Sequence, residues 1–205
     1  MKALLISMFV VFFGISIYAQ NSTTTTTTTN GNPGNIKTTY PHFSLGAIGG
    51  AIFPLPKVLN QTFKPGVNVE VDGAVRINKE VGLWMSGAYS FMASKTTGAP
   101  VGNYFVFSGG PRYYFMNPKL KSQLFFEGGV GAYYFKQNSF IDPNSQQTVD
   151  QIVNTRPGLN GGVGASLYLS RKVDILFKSK YNLVFTPNGS SSYITAGAGL
   201  EFSFK

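Results

Sequence analysis

Nine charged side chains stand at positions from which they could form a network of ion pairs. Glu70 and Asp72 are two residues apart, and so are Lys178 and Lys180, with apolar residues next to each pair. Side chains two residues apart in an extended strand point to the same side, so each pair would place two like charges in one space. Charges removed from water need opposite charges beside them, which predicts pairing between acids and bases of different strands. The nine residues are Glu70, Asp72, Arg76, Arg112, Glu127, Asp174, Lys178, Lys180 and Glu201.

The single histidine, His42, raises the question of hydrolytic chemistry. A serine hydrolase brings a serine, a histidine and an acid together, and Ser44 shares a strand face with His42. His42 stands at the start of its run, near the rim of the predicted fold, where a lone histidine is more typical of an ordinary structural position. The sequence therefore predicts no catalytic residue and a protein that is not an enzyme.

Three glycine-rich runs and one acidic turn could suggest a phosphate or calcium site. A phosphate-binding loop needs a switch from strand to helix, whereas Gly46–Gly50, Gly128–Gly131 and Gly161–Gly164 lie inside strand patterns. We interpret these glycines as places where a strand bends or makes room for bulky neighbours. Asp142–Gln146 begins like a calcium loop but lacks the motif's glycine and glutamate, which favours an exposed turn over weak calcium binding. No cofactor and no metal are expected.

Eight runs of alternating apolar and polar residues supply the elements that would hold these side chains. In the last run, every second residue from Ile194 to Phe204 is apolar, and Thr195, Glu201 and Ser203 stand between them. A period of two indicates a strand with one apolar and one polar face. The runs are about 11–14 residues long, whereas a tilted transmembrane strand needs roughly 9–11.

The connections between these runs fall into a short set and a mostly longer set. Short turns at one end and longer loops at the other are typical of an outer-membrane barrel with both chain ends in the periplasm. The predicted fold is all-β: an eight-stranded antiparallel up-and-down transmembrane β-barrel. Short links fall at 78–80, 117–121 and 170–172, and the others near 54–62, 94–102, 137–156 and 186–191.

The composition agrees with strands that face an apolar medium. Charged residues make up only 12% of the 205-residue chain, against about 25% in a typical soluble domain. Cysteine is absent, which excludes disulfides and thiolate chemistry. The net charge of +9 comes from scattered residues without a dense basic run, so it indicates lipid phosphates at a membrane surface and not nucleic acid.

The N-terminal segments are typical of an exported protein. Lys2, an apolar stretch and a small residue at Ala19 predict a signal peptide over residues 1–19, cleaved after Ala19. Residues 20–40 contain seven consecutive threonines and cannot form a core, which predicts a disordered Thr-rich linker. Residues 41–205 would form the barrel.

The polar strand faces predict an interior filled by ion pairs. An eight-stranded barrel is just wide enough for side chains to fill. Folding two runs about Asn117–Leu120 places Arg112 opposite Glu127, and we expect Lys178 within one cross-strand step of Glu201. The prediction is a plugged interior, with a gated ion path as the alternative.

Aromatic residues near the strand ends are expected to form girdles at the two membrane interfaces. Such girdles place amphipathic rings at the level of the lipid headgroups. The residues expected there are Trp84, Tyr104, Tyr113, Tyr114, Tyr133, Tyr134 and Tyr168.

Two segments resemble a known group of proteins. The hairpin from Gly162 to Tyr181 is similar to those of OmpA/OmpX-like outer-membrane barrel domains, and Gly199–Phe204 resembles the C-terminal signal that the barrel assembly machinery reads, except that Lys205 follows the final phenylalanine. The resemblance covers roughly residues 42–205. It implies a bacterial outer-membrane protein whose partners are that machinery, outer-membrane lipids and lipopolysaccharide.

The function expected is a structural or surface-interaction role. The polar loop 137–156 is the expected site for an extracellular ligand, because long loops in compact folds tend to be functional. A porin-like barrel that transports small solutes or ions is the alternative. At the level of fold, the rival is a soluble lipid-binding barrel, which would turn its apolar faces inward and expose Glu127.

Overall fold

The computed structural model describes residues 40–55, 59–116, 122–141, 146–187 and 189–204. The predicted signal peptide and nearly all of the predicted linker lie outside these residues. No helix in the described part of the chain is long and apolar enough to cross a bilayer. The strands are β1 (His42–Pro54), β2 (Gly66–Arg76), β3 (Val81–Met92), β4 (Gly102–Met116), β5 (Ser122–Gln137), β6 (Phe140–Ile141), β7 (Thr148–Val149), β8 (Ile152–Tyr168), β9 (Val173–Thr186) and β10 (Gly189–Phe204), and the one helix among these residues is α1 (Leu59–Thr62).

The eight long strands form a closed antiparallel barrel in which consecutive long strands are neighbours. The first and last strands complete the cylinder, with Phe43 of β1 opposite Phe204 of β10. Closure leaves no strand edge with unpaired backbone groups, a requirement for strands surrounded by hydrocarbon. The predicted eight-stranded up-and-down barrel is confirmed.

The apolar faces point outward and the ionic faces point inward. Leu167 and Phe202 are 39% and 43% exposed on the outer wall, whereas Glu127 and Lys178 are buried in the lumen. A soluble lipid-binding barrel would have the opposite arrangement. That rival interpretation is therefore wrong, and the outer wall is a belt of valine, leucine and aromatic side chains suited to acyl chains.

Two of the connections differ from their predicted lengths. Thr186 pairs with Gly189, so the link expected near 186–191 is a tight hairpin. The loop expected at 137–156 is shorter than predicted, because Gln137 and Ile152 form the last residue pair between β5 and β8. Both strands continue further than the alternation of the sequence indicated. The remaining segment, 138–151, carries the small hairpin of β6 and β7.

Other connections occupy both ends of the barrel. The link at 117–121, about which the fourth and fifth runs were expected to fold, lies outside the described residues, as do residues 142–145 of the acidic turn. The links after β2 and β8 are short, and the first residue of β1 and the last residue of β10 lie on their side; we call this the short-turn end. At the opposite, loop end, α1 and Phe63 fold back over the lumen, and Phe63 forms a β-bridge with Ser94.

Apolar side chains pack inside the barrel on both sides of its charged centre. Toward the short-turn end, Ile48, Tyr114, Phe125 and Leu176 form one buried cluster. A larger cluster fills the loop end, and Phe135 packs against it. Its members are Ile52, Leu59, Phe63, Ala88, Met92, Tyr104, Val106, Tyr133, Val184 and Tyr193.

Candidate functional site

Strand geometry brings six of the nine predicted charged residues together between the two apolar clusters. β2 carries two acids and β9 carries two lysines, each pair separated by one outward residue. β4 and β5 contribute one residue each, and Arg112 faces Glu127 in their register, as the sequence predicted. We call these six the lumen network: Glu70, Asp72, Arg112, Glu127, Lys178 and Lys180.

Lys178 occupies the centre of the lumen network. Its ammonium nitrogen lies 2.9 Å from Glu70 Oε1 and 2.6 Å from Asp72 Oδ2, and it donates hydrogen bonds to both. It also lies 2.9 Å from Glu127 Oε1, where the approach is ionic and the angle is not that of a hydrogen bond. One cation thus contacts three carboxylates from two strands.

Arg112 joins the same carboxylates from the other side. Its Nη2 lies 2.9 Å from Asp72 Oδ1 and 2.6 Å from Glu127 Oε2, and its Nε donates to that same Glu127 oxygen at 3.0 Å. The planar guanidinium stacks over the ring of Phe125, with its carbon 4.3 Å from the ring centroid. A guanidinium can meet two carboxylates and an aromatic face at once, which an ammonium cannot do with the same directionality.

Lys180 extends the lumen network toward the loop end. Its ammonium donates to Glu70 Oε1 at 2.8 Å and to the hydroxyl of Ser86 at 3.1 Å. Trp84 lies beside both lysines, with the ammonium of Lys178 4.8 Å and that of Lys180 5.0 Å from the ring centroid. The indole therefore provides cation–π stabilisation to two adjacent positive charges that would otherwise repel each other.

The lumen network is electrically balanced. Three carboxylates face three cations, and their side chains are at most 4% exposed. Desolvating one such ion without a partner would be very unfavourable, so the neutral total is what permits burial. Pairing also leaves no excess charge to attract an ion from outside.

The other three predicted residues lie nearer the short-turn end. Arg76 donates to Gln123 Oε1 at 2.5 Å and to the turn carbonyls of Asn78 and Lys79, and its guanidinium lies over Tyr114. Arg76 of β2 thereby contacts β4, β5 and the turn after its own strand.

Asp174 and Glu201 face each other at that same end. They are paired in the register of β9 and β10, and serine hydroxyls donate to both: Ser166 to Asp174 at 3.2 Å and Ser44 to Glu201 at 2.6 Å. The prediction that Lys178 lies within one cross-strand step of Glu201 is wrong, because the tight hairpin after β9 places Gly197 opposite Lys178. The hydroxyl proton of Ser44 is directed to the carboxylate of Glu201, so this contact is a structural hydrogen bond that stabilises the acid.

Four aromatic residues predicted for the interface girdles are buried in the lumen instead. Trp84, Tyr104, Tyr114 and Tyr133 share the strand phase of inward polar residues such as Ser86. Nearness to a strand end suggested the girdle, but the phase within the strand decides the side, and that signal was present in the sequence. By contrast, Tyr113 and Tyr168 are exposed and Tyr134 is half-buried.

The structure adds a polar layer that the sequence did not single out. The hydroxyl of Tyr133 donates to Asn182 Oδ1 at 3.1 Å and accepts from Asn160 Nδ2 at 3.3 Å. Ser90 donates to Asn68 Oδ1 at 2.7 Å on the opposite wall. Between these groups and Lys180, the lumen leaves about 10 Å³ of free space, enough for one water molecule and too little for a solute.

Inward-facing glycines make room for these side chains. A Cβ at Gly162 would lie 2.7 Å from Lys180 Cγ, and one at Gly164 would overlap the ring of Phe125. For these inward glycines, the interpretation as space for bulky neighbours is confirmed. Gly128 and Gly161 point outward, where a Cβ would meet no atom closer than 3.9 Å.

Comparison with known proteins gives matches among solved structures. No protein-family model and no curated protein sequence matches the chain. A major outer membrane protein from Thermus thermophilus is similar with a TM-score of 0.55 at 12% sequence identity, over 80% of this chain and 100% of that one. Neisserial surface protein A is similar with a TM-score of 0.52 at 15% identity, over 80% of this chain and 97% of that one.

The N-terminal β-barrel domain of OprF from Pseudomonas aeruginosa is similar to the same extent, with a TM-score of 0.52 at 13% identity over 80% of this chain and 98% of that one. At these identities the likeness is one of fold. The chain therefore has the fold of the eight-stranded outer-membrane β-barrels, as its resemblance to the OmpA/OmpX-like barrel domains predicted.

Proposed function

We propose that this chain is an exported protein of the bacterial outer membrane, with a structural or surface-interaction role and a lumen plugged by ion pairs. The observation that carries the proposal is the difference between the outer and inner faces of the barrel wall. Hydrocarbon-like side chains cover the outside, and a neutral set of six charges fills the inside. We assign no catalytic role to any residue.

The plug has three layers, each of which resists passage by a different means. The Arg76 and Tyr114 contact and the small apolar cluster close the short-turn end. The lumen network fills the centre, and moving an ion through it would require separating buried pairs. At the loop end, Phe63 packs edge-on against Phe135 at 5.8 Å, and Phe135 lies 4.8 Å from Tyr104.

If the lumen is plugged, ligand recognition is expected on the outer surface of the barrel. Segment 138–151 connects β5 and β8 at the loop end, and its described polar residues are exposed: Asn138, Ser139, Gln146, Gln147, Thr148, Asp150 and Gln151. Exposed polar side chains on a rigid β scaffold are typical of recognition loops. We therefore propose this segment, the core of the predicted loop 137–156, as the contact for an extracellular ligand.

Export and assembly complete the proposal. A signal peptide cleaved after Ala19 would deliver the chain, and the barrel assembly machinery would recognise its last strand. Support for the second step comes from β10, where Phe202 and Phe204 are exposed on the outer wall and the strand closes the barrel against β1. The outer wall would contact outer-membrane lipids and lipopolysaccharide.

Fractionation and electrophoresis test the location and the fold together. The folded barrel is expected in the outer-membrane fraction and should migrate differently before and after boiling. Recovery from the soluble periplasmic fraction would contradict the proposal.

Planar-bilayer recording tests the plug. A sealed lumen predicts no stable conductance steps from protein that has passed the electrophoretic test. Large, stable steps would favour the alternative, a small-solute or ion porin.

A loop replacement tests the surface role. Replacing 138–151 with a short Gly-Ser linker should abolish binding to cells or matrix while the barrel still shifts on the gel. A variant with the same 14 residues (138–151) in scrambled order is the matched control for loop length. Binding that survives the linker replacement would place the recognition surface elsewhere.

A further inference from the structure

One charged side chain breaks the apolar character of the outer wall. Lys136 is the only charged residue at an outward-facing position of the eight barrel strands, counted over the described residues. Preceding outward positions of β5 carry Leu124, Phe126, Val130 and Tyr134. Lys136 has no carboxylate within ion-pair distance among the described residues, although the lumen lysines are fully paired.

The residues around Lys136 present hydrogen-bond donors. Asn103 is directly opposite in the register of β4 and β5. The hydroxyl of Tyr89, on the next strand, donates to Asn103 Oδ1 at 3.0 Å. That bond fixes the orientation of the amide, and the amide nitrogen of Asn103 keeps its two hydrogens for another partner. A lysine at the register position next to this amide adds a positive charge to the N–H donors, and a positive charge with N–H donors suits an anionic oxygen such as that of a phosphate.

The height of Lys136 on the wall places it at a membrane surface. It lies twelve residues beyond Leu124 on the same strand, and at about 3.4 Å per residue and a tilt of about 40° this corresponds to roughly 31 Å along the barrel axis. The apolar band of such barrels is about 25 Å tall. If Leu124 lies near one edge of the hydrocarbon, Lys136 reaches the headgroups of the other leaflet.

Aromatic residues around Asn103 and Tyr89 also indicate a position at the membrane surface. Phe91 is the register partner of Asn103, and Phe105 is the partner of both Tyr89 and Tyr134. Rings of this kind flank the hydrocarbon edge and pack against the upper part of acyl chains. A ligand held here would therefore have an acyl part against the rings and an anionic part at Lys136.

We propose that Lys136, Asn103 and Tyr89 form a binding site for the phosphate of a lipid headgroup in the leaflet at the loop end. The proposal rests on the outer-membrane function above, which makes that leaflet the outer one and the ligand a phosphorylated glycolipid. Lys136 supplies the charge, Asn103 donates from its amide nitrogen, and Tyr89 fixes the orientation of that amide.

The test uses the full mature chain in phosphatidylcholine nanodiscs that contain a minor fraction of diphosphoryl lipid A. Native mass spectrometry counts the lipid A molecules retained by the released barrel, and NMR follows the side-chain amide of Asn103. We expect retention of diphosphoryl lipid A by the wild type and about fivefold weaker retention by Lys136→Gln. Lys136→Arg should restore retention, because it keeps the charge.

Matched controls separate the site from general electrostatics. Lys64→Gln removes an exposed lysine at the same end of the barrel and should leave retention unchanged. Inorganic phosphate at the same concentration should not displace the lipid, because it lacks the acyl part. Equal retention of dephosphorylated lipid A, or unchanged retention by Lys136→Gln, would overturn the site. A wild-type chain that fails to insert into the nanodisc would overturn the proposed function as well.

Discussion

The ammonium of Lys178 on β9 lies 2.6 Å from the carboxylate of Asp72 on β2, 106 positions away along the chain. Two other strands stand between these two in the wall, so the contact crosses the lumen. Contacts of this kind exist only after the barrel has closed. They also make the centre of the lumen the place where a single substitution has the largest expected effect.

Replacing Lys178 with methionine should strongly lower the free energy of unfolding. The substitution keeps the length of the side chain but leaves three buried carboxylates with two cations. Breaking a buried pair by removing one partner costs about 3–5 kcal/mol. Urea unfolding of the barrel in lipid vesicles measures the change.

Two further variants make that result specific. Lys172→Met removes an exposed lysine of the short turn and should change the free energy of unfolding by no more than about 0.5 kcal/mol. Asp72→Asn combined with Lys178→Met restores neutrality and should recover about 1–3 kcal/mol of the loss. If the effects of Lys178→Met and Asp72→Asn, each measured alone, simply add in the double variant, the ion-paired description of the lumen is contradicted.

Trp84 should report on the lumen network by fluorescence. It is the only tryptophan of the chain, it is fully buried, and its indole N–H donates to the carbonyl of Pro111 at 3.1 Å. The folded barrel should emit at shorter wavelength than the urea-unfolded chain and resist quenching by acrylamide. Lys178→Met should change the emission intensity because it removes an ammonium 4.8 Å from the ring. Equal acrylamide quenching of the folded and unfolded protein would show that water reaches the lumen.

Alanine substitutions at an outward and an inward glycine should have opposite effects on the stability of the barrel. Gly49 faces outward with no atom within 4 Å of an added Cβ, so Gly49→Ala should be neutral or stabilise by up to about 1 kcal/mol. Gly164→Ala would overlap the Phe125 ring beneath Arg112 and should destabilise by about 1–3 kcal/mol. Urea midpoints of the two variants provide the comparison. Equal effects at both positions would contradict the assignment of the two faces.

The segment from α1 to Lys64 folds over the loop end of the lumen, and we call it the lid. Removing the Phe63 ring should open the lid without unfolding the barrel. Truncation of a buried phenylalanine costs about 3–5 kcal/mol, and a peripheral element can open locally when it loses that much. The backbone N–H of Lys64 bonds to Ala93 and that of Lys95 bonds to Thr62, so both report on the lid. Hydrogen exchange of these two amides should accelerate in Phe63→Ala.

The control for the lid removes a ring from the outer wall. Phe91 is 41% exposed, and Phe91→Ala should leave the amides of Lys64 and Lys95 protected. Exchange at the Tyr133 amide, inside the barrel wall, should be unaffected by either variant. Acceleration at Tyr133 in Phe63→Ala would mean that the lid and the barrel open as one unit.

Local alternation was sufficient to predict the eight long strands and the direction of their two faces, although β5 and β8 extend further than it indicated. The inward phase of Glu70 and Asp72, and that of Lys178 and Lys180, follows from the period of two in a strand. Phase also places Trp84 inside, although its position near the strand end favours an interface girdle. The opposition of Arg112 and Glu127 was predictable too, because both strands belong to one hairpin.

The sequence by itself determined the all-β barrel, the outward apolar belt and the set of charges that share the lumen, because these depend only on residue type and strand phase. Which charges meet was decided by the tertiary structure. A hairpin centred within 186–191 would place Gly199 opposite Lys178, with Glu201 two residues further along the same strand face. The tight turn instead pairs Thr186 with Gly189 and places Glu201 opposite Asp174. The partners of Lys178 lie on β2 and β5, and closure of the cylinder brings these strands opposite β9. Such contacts depend on the register of every strand between them.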